Sequence, residues 1–175
     1  MWKSIAAAFA LCIAGAGCSP GVQAGSAPSA GSPAPEFAGI ERWLNSEPLT
    51  MHGLKGKVVL VEFWTYSCIN CIHVMPHVNQ WHQRYRDQGL VVVGVHTPEY
   101  DEEHDAGRLR DAMKRYGVEY AVAQDNDYRT WNAWGNRFWP ALYLVDRDGR
   151  VVYRHVGEGD YDVTEARIRE LLAGS

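Results

Sequence analysis

The stretch that decides the fold is residues 58–71, which read VVLVEFWTYSCINC. Residues 58–64 form a nearly continuous apolar run, which is typical of a strand buried on both faces of a sheet. A helical pattern begins at about Cys68 and continues to about Asp87. The stretch therefore predicts a central strand that leads, through a short loop, into a helix with two cysteines in its first turn.

Strand and helix patterns alternate on the C-terminal side of this stretch. The predicted strands are Leu90–Val95, Tyr120–Ala123 and a hairpin of Ala141–Val145 and Arg150–Val156, with its turn at Asp148-Gly149. The predicted helices are Glu102–Tyr116, Tyr128–Trp134 and Thr164–Leu172. Strands that alternate with helices and end in a hairpin and a helix predict an α/β fold, in which helices cover both faces of the sheet.

Four cysteines stand at positions 12, 18, 68 and 71, and the last two form a Cys-x-x-Cys motif. A structural disulfide between them would close a loop of only four residues and would restrict the unfolded chain little. Cys68 falls at the start of the predicted helix, where free backbone N–H groups and the helix dipole favour a thiolate. Cys71 lies one turn further into the helix and is expected to be more buried. The pair predicts a redox-active dithiol in which Cys68 attacks and Cys71 resolves the mixed disulfide.

The first 24 residues are typical of an export signal. A basic start at Lys3 is followed by an alanine-rich apolar run, Ile5 to Ala16, which is too short to span a bilayer. Two processing routes stay open: cleavage after Val22-Gln23-Ala24, or lipoprotein processing at Cys18, where Gly15 replaces the usual leucine. Both routes, like an uncleaved leader, predict a periplasmic or otherwise extracytoplasmic domain. We favour the second, which would anchor the domain to a membrane by a lipid at Cys18.

The rest of the chain is interpreted as one domain behind a linker. Residues 25–35, GSAPSAGSPAP, are too small and proline-rich to build a core, so they predict a flexible linker. Residues 36–175 show no second linker and no internal repeat. The formal net charge of -4 argues against nucleic-acid binding, which needs a basic surface.

Four motifs resemble one known family. Residues 63–71, FWTYSCINC, resemble the active-site segment of thioredoxin-like proteins. With GVHTPE at 94–99, WPA at 139–141 and GEGDY at 157–161, they resemble the thioredoxin-like domain of DipZ-type proteins, within the wider group of exported TlpA-like oxidoreductases. These motifs lie within a resemblance that runs from about Gly39 to Leu172. It implies a thioredoxin fold, with a central mixed β-sheet and helices on both faces.

The resemblance also implies roles for residues around the dithiol. Glu62 takes the place of the buried acid under the cysteines, where burial would raise its pKa and let it shuttle a proton to Cys71; the alternative is a partly exposed glutamate at a strand end. Trp139-Pro140 matches the cis-proline loop that faces the dithiol and would expose the backbone of Trp139 to an extended substrate. The substrate-binding residues expected on this basis are Trp64, Trp139, Pro140 and Gly157.

The activity implied by the resemblance is that of an exported thiol–disulfide oxidoreductase, which we expect to reduce disulfides of exported proteins. No bound cofactor and no metal are expected, because the Cys68–Cys71 pair itself carries the electrons. The oxidised pair would be recharged by a membrane electron carrier of the CcdA/DsbD type, since an NADPH-linked reductase is not at hand outside the cytoplasm. The protein is expected to be a monomer.

Three alternatives stay open. A thiol peroxidase is suggested by Thr65-x-x-Cys68, although Val61 stands where peroxiredoxins have a proline. A metal site is suggested by the two cysteines with His73 and His77, although residues 71 and 73 point in different directions on a helix. A peptide-binding module is suggested by an aromatic rim built from the tryptophans of the domain.

One acidic loop is interpreted as a solvated surface. Residues 100–103, YDEE, lie between His96 and His104. Runs of charged residues are usually solvated, so no functional role is predicted for them.

Overall fold

The computed structural model describes residues 26–174. The predicted export signal, with Cys12 and the lipidation candidate Cys18, lies outside the described residues. Within them the strands are β1 (Arg42–Leu44), β2 (Val58–Trp64), β3 (Leu90–His96), β4 (Ala121–Gln124), β5 (Ala141–Val145) and β6 (Val151–Val156). The helices are α1 (Ile69–Tyr85), α2 (Ala106–Tyr116), α3 (Arg129–Ala133) and α4 (Tyr161–Ala173), with short 3₁₀ helices at Arg86–Gln88 and Asp101–His104.

The strands form one mixed sheet in the order β1-β4-β3-β2-β5-β6. β2, β3 and β4 run parallel to one another, whereas β5 pairs antiparallel with β2 and β6 antiparallel with β5. In this register Glu62 lies between Gly94 on one neighbour and Leu142 on the other. The predicted mixed sheet is confirmed, and the strand that leads to the two cysteines is central in it.

Two apolar clusters cover the two faces of the sheet. One contains buried residues of α1, α2 and α4 together with inward-facing residues of β2, and Cys71 belongs to it. The other packs α3 and the N-terminal segment against the opposite face, around Phe63, Trp134 and Tyr143. Helices therefore lie on both faces, as predicted, and the second cysteine is part of the core beneath α1.

The structure differs from the sequence-based prediction at two places. β1 was not predicted; it is only three residues long and pairs with β4 at the edge of the sheet. The helix predicted over 102–116 is interrupted at Asp105, whose carboxylate accepts the N–H of Arg108 at 2.7 Å and caps α2. An aspartate that bonds the backbone three residues ahead starts a new helix rather than continuing the old one.

The end of the predicted linker lies against the β5–β6 hairpin. The N–H of Gly31 donates to Val151 at 2.7 Å, the N–H of Val151 donates to Ser32 at 2.9 Å, and that of Ala34 donates to Gly149 at 2.9 Å. These residues are joined to the domain by backbone hydrogen bonds, while the domain boundaries themselves stay predictions.

None of the helices within residues 26–174 combines the length and the apolar character needed to cross a bilayer.

Candidate active site

Cys68 is the N-cap residue of α1. Its φ and ψ of -70° and 114° are extended, and its Sγ accepts the backbone N–H of Cys71 at 3.3 Å. The thiol of Cys71 donates to the same sulfur at 2.6 Å. Cys68 is partly exposed whereas Cys71 is completely buried, so only the first sulfur can meet a large substrate.

The two thiols differ in their readiness to ionise. The hydrogen bond from the Cys71 thiol lowers the pKa of Cys68 from 9.0 to about 7, against the effect of burial and with help from backbone N–H groups of Cys71 and Asn70. Burial and the neighbouring Cys68 sulfur raise the pKa of Cys71 far above its ordinary value. The exposed sulfur is therefore a thiolate in part at neutral pH, and the buried sulfur keeps its proton until a base accepts it.

Glu62 lies beneath the dithiol on the central strand and is completely buried. The hydroxyl of Tyr120 donates to its Oε2 at 2.8 Å, while Oε1 has no hydrogen-bond partner among the described residues. Burial raises the pKa of Glu62 from 4.5 to about 7; the Tyr120 hydrogen bond opposes this rise and the charge of Cys68 adds to it. The alternative of a partly exposed glutamate is wrong, and a carboxyl that titrates near neutral pH can both accept and return a proton.

The predicted cis-proline loop is present. The Trp139–Pro140 peptide bond is cis, and the carbonyl of Pro140 accepts the N–H of Gly157 at 2.9 Å, which brings these two predicted site residues together. The indole N–H of Trp139 donates to the carbonyl of Thr97 at 3.0 Å, and its ring lies 4.3 Å from that of Trp131. These contacts fix the side chain of Trp139, which packs at the edge of the same apolar cluster as Cys68.

Trp64 is placed differently from the prediction of a substrate contact. Its side chain is completely buried beside His96, with ring centroids 5.2 Å apart, because it is the last residue of a strand that is covered on both faces. Trp64 therefore packs the core behind the dithiol and presents no surface to a substrate.

The residues behind two of the alternative interpretations make contacts that do not involve the cysteines. Nδ1 of His73 lies 3.2 Å from Glu158 in the loop before α4, and the ring of His77 stacks at 3.6 Å on Tyr161, the first residue of α4. No group of three or more metal-ligating side chains occurs among residues 26–174. The hydroxyl of Thr65, which a peroxidase would need beside Cys68, is buried 3.2 Å from Nε2 of His96.

The redoxin family model matches residues 29–172 of this chain. The chain belongs to the redoxin family. DipZ of Mycobacterium bovis is 49% identical to this redoxin over 142 residues, which are 79% of this chain and 20% of DipZ, so the chain spans about a fifth of that relative. Thiol-disulfide oxidoreductase YkuV of Bacillus subtilis is 31% identical over 141 residues, 81% of this chain and 95% of YkuV.

A solved structure agrees with this membership. The solution structure of a thioredoxin-like protein in its oxidised form superposes with a TM-score of 0.75 and 32% identity, over 83% of this chain and 97% of that one. The predicted thioredoxin fold and the DipZ-type resemblance are confirmed, and YkuV among these relatives is named a thiol-disulfide oxidoreductase.

The interpretation of residues 100–103 as a solvated loop is wrong for Glu103. This glutamate is completely buried, and its Oε1 accepts the hydroxyl of Ser67 at 2.6 Å and the N–H of Ser67 at 3.2 Å. Its Oε2 accepts the N–H groups of Glu99 at 2.6 Å and of Tyr100 at 3.2 Å. Burial alone would raise the pKa of Glu103, but these hydrogen bonds outweigh it and lower the pKa. In this redoxin the residue before Cys68 is therefore held by a buried carboxylate.

His96, which precedes this loop in the chain, is also buried. It is completely buried, its ring stacks on Tyr66 with centroids 5.5 Å apart, and burial lowers its pKa to about 4. A neutral imidazole thus packs against the ring of Tyr66, two residues before Cys68.

The only local signal for Glu103 in the sequence was its position at the third residue of a helix start, where an acid often reaches back to free N–H groups.

Replacement of Glu103 by glutamine is expected to destabilise this redoxin by about 2–3 kcal/mol, because the amide group would point its own N–H atoms at backbone donors. Urea unfolding at pH 7 measures the loss. Glu102→Gln is the matched control, since Glu102 is the exposed neighbour and its side chain makes no hydrogen bond within the described residues. Equal stability of the two variants would contradict the structural role of Glu103.

Proposed function

We propose that this redoxin is an extracytoplasmic disulfide reductase in which Cys68 attacks a substrate disulfide and Cys71 resolves the product. The observation that carries the proposal is the asymmetry of the pair. The partly exposed Cys68 sulfur accepts two hydrogen bonds that favour its thiolate, while the buried Cys71 keeps its proton above Glu62.

The cycle needs two exchanges. Cys68 attacks one sulfur of the substrate disulfide, the substrate S–S bond breaks, and the other substrate sulfur leaves as a thiolate. Cys71 then gives its proton to Glu62 and attacks Cys68, which forms the Cys68–Cys71 disulfide and releases the second substrate thiolate. The substrate gains two electrons, the dithiol loses two, and no bound cofactor or metal takes part.

The proposed direction of electron flow rests on the degree to which the thiolate is stabilised. A strongly stabilised thiolate favours the reduced dithiol and makes an oxidant, as in DsbA, where the attacking cysteine has a pKa of about 3.5. The pKa of Cys68 is lowered only to about 7, which resembles the value of thioredoxin, a reductant. The same chemistry favours donation of electrons by this redoxin.

The substrates proposed are disulfides of exported proteins. Support for export comes from the signal-like first 24 residues, and the lipid anchor at Cys18 stays part of the proposal. A substrate segment would lie along the backbone of Trp139, whose N–H and C=O make no backbone hydrogen bond within the described residues. Exposed Phe138 beside Trp139 and exposed Ile69 at the start of α1 offer apolar contacts.

The oxidised pair needs a donor of two electrons after each cycle. We propose a membrane electron carrier of the CcdA/DsbD type, which would deliver reducing equivalents to an extracytoplasmic site. The partly exposed Cys68 would be the sulfur attacked by that carrier, and a monomer would leave it accessible to both partners.

The decisive measurement is the reduction potential of the Cys68–Cys71 pair in equilibrium with glutathione. A reductase is expected to lie nearer to thioredoxin, at about -270 mV, than to DsbA, at about -120 mV. The reduced protein is also expected to accelerate the reduction of insulin. A potential at the DsbA end, with no reduction of insulin, would overturn the proposed direction.

A further inference from the structure

Tyr120 forms the only hydrogen bond that Glu62 makes through its side chain within the described residues. The two side chains are completely buried, and they come from positions 58 residues apart in the chain. The Tyr120 hydroxyl has no second hydrogen-bond partner in the part of the chain that the structure describes. It can therefore hold a carboxylate oxygen but has no acceptor to which it could pass a proton onward.

The space for this contact exists because position 94 is a glycine. Gly94 is paired with Glu62 across β2 and β3. A Cβ added to Gly94 would lie 3.0 Å from Cε2 of Tyr120 and 2.7 Å from Nε1 of Trp64. The missing side chain thus lets the Tyr120 ring reach the carboxylate across the neighbouring strand.

The contact makes the two oxygens of Glu62 unequal. Oε2 is occupied by the phenol, whereas Oε1 is buried without a partner. The charge of Glu62 raises the pKa of Cys71, and the charge of Cys71 raises the pKa of Tyr120, so the three groups interact electrostatically. One oxygen of the acid is therefore held by the phenol, and the other makes no hydrogen bond within the described residues.

We propose that Tyr120 is a positioning residue for the resolving step: it fixes Glu62 through Oε2 so that the free Oε1 takes the proton of Cys71. The role rests on the proposed function, because it concerns the second exchange of the cycle. The S–H bond of Cys71 breaks and an O–H bond forms on Glu62. The Cys71 thiolate then bonds to Cys68 as the bond between Cys68 and the substrate breaks, and the substrate leaves with that electron pair.

The direction of the effect follows from the hydrogen bond. A phenol O–H stabilises the carboxylate more than the neutral acid, so Tyr120 holds the pKa of Glu62 below the value that burial alone would give. In Tyr120→Phe the ring and its packing remain, but the donor is lost. Glu62 is then expected to titrate about one pH unit higher, since a hydrogen bond to a charged group contributes on the order of 1.5 kcal/mol.

The test is the titration of the Glu62 carboxyl in the full chain, followed by carbon NMR or infrared absorption in wild type, Tyr120→Phe and Tyr143→Phe. Tyr143 is the matched control: it is an equally buried tyrosine whose hydroxyl donates to Asn136 at 3.0 Å within the apolar cluster on the other face. The Glu62 midpoint should move upward in Tyr120→Phe and stay in place in Tyr143→Phe. An unchanged midpoint in Tyr120→Phe would overturn the proposed role, whether or not the protein reduces disulfides.

A kinetic measurement separates positioning from packing. Release of a thiol substrate from a preformed Cys68 mixed disulfide reports the resolving step alone. The midpoint of the pH dependence of this release rate is expected to rise in Tyr120→Phe by the same amount as the midpoint of the Glu62 titration. In a Glu62→Gln background, Tyr120→Phe should cause no further shift of that midpoint. A Tyr120→Phe variant with lower unfolding stability but an unmoved pH profile would assign Tyr120 a packing role only.

Discussion

Replacement of Cys71 by serine is expected to stop the cycle at a covalent complex, whereas replacement of Cys68 by serine is expected to prevent the cycle from starting. Cys68 remains partly exposed in Cys71→Ser, so it still attacks a disulfide, but no second thiol is present to release the product. Turnover of insulin disulfides should fall by about three orders of magnitude or more in both variants, because a serine hydroxyl is not ionised at neutral pH.

The two variants are distinguished by what accumulates. Non-reducing electrophoresis and mass spectrometry should detect a mixed disulfide on Cys68 in Cys71→Ser and none in Cys68→Ser. Trapping through Cys71 in the second variant would contradict the asymmetry of the pair, since the Cys71 sulfur is sealed in the core. Replacement of Cys71 by alanine, which removes the side-chain donor that serine would keep, should also raise the pKa of Cys68, and the pH dependence of alkylation measures this rise.

Replacement of Glu62 by glutamine is expected to change how stability depends on pH. The pKa of Glu62 is raised from 4.5 to about 7 in the folded protein, so the folded state holds a proton that the unfolded state has released between these pH values. The free energy of unfolding must therefore fall as pH rises through this window, by about 3 kcal/mol in total at 1.36 kcal/mol per unit. A glutamine does not ionise, so its advantage over wild type should grow by about that amount from pH 4 to pH 8.

Urea unfolding of both proteins at several pH values measures this difference, and any constant cost of the amide group cancels from it. Glu119→Gln is the control, since Glu119 is exposed beside Tyr120 and its side chain forms no hydrogen bond within the described residues. Parallel stability curves for Glu62→Gln and wild type would refute a raised pKa at Glu62.

Local patterns predicted those features that depend on neighbours in the chain. The apolar run at 58–64 is confirmed as a strand, the Asp148-Gly149 turn as part of a hairpin, and Cys68 as the residue that caps the start of its helix. In each case the determining contacts lie within a few residues, where burial periodicity and backbone preference are visible in the sequence.

Contacts between distant strands decided what the sequence did not predict. Tyr120 reaches Glu62 because it directly precedes β4, and β4 lies beside β3, which lies beside β2. The residue pattern of β4 alone does not show that Glu62 is close to Tyr120. Glu103 resembles its acidic neighbours in sequence, yet its burial depends on the N–H and the hydroxyl of Ser67, 36 residues earlier in the chain. The charged run at 100–103 was interpreted from its composition, and composition cannot show which of these side chains is buried.

Gly94 has a practical consequence for protein design. An engineer who wants to install the acid–phenol pair of this redoxin in another thioredoxin scaffold would have to graft three positions from three parts of the sheet. Two of them are the acid and the phenol, and the third is Gly94, which forms no part of the hydrogen-bonded pair. With alanine at that position, the grafted tyrosine would meet a methyl group about where its ring edge must lie. A screen of scaffolds for this graft should therefore begin with those that already carry glycine there, before any ionisable residue is considered.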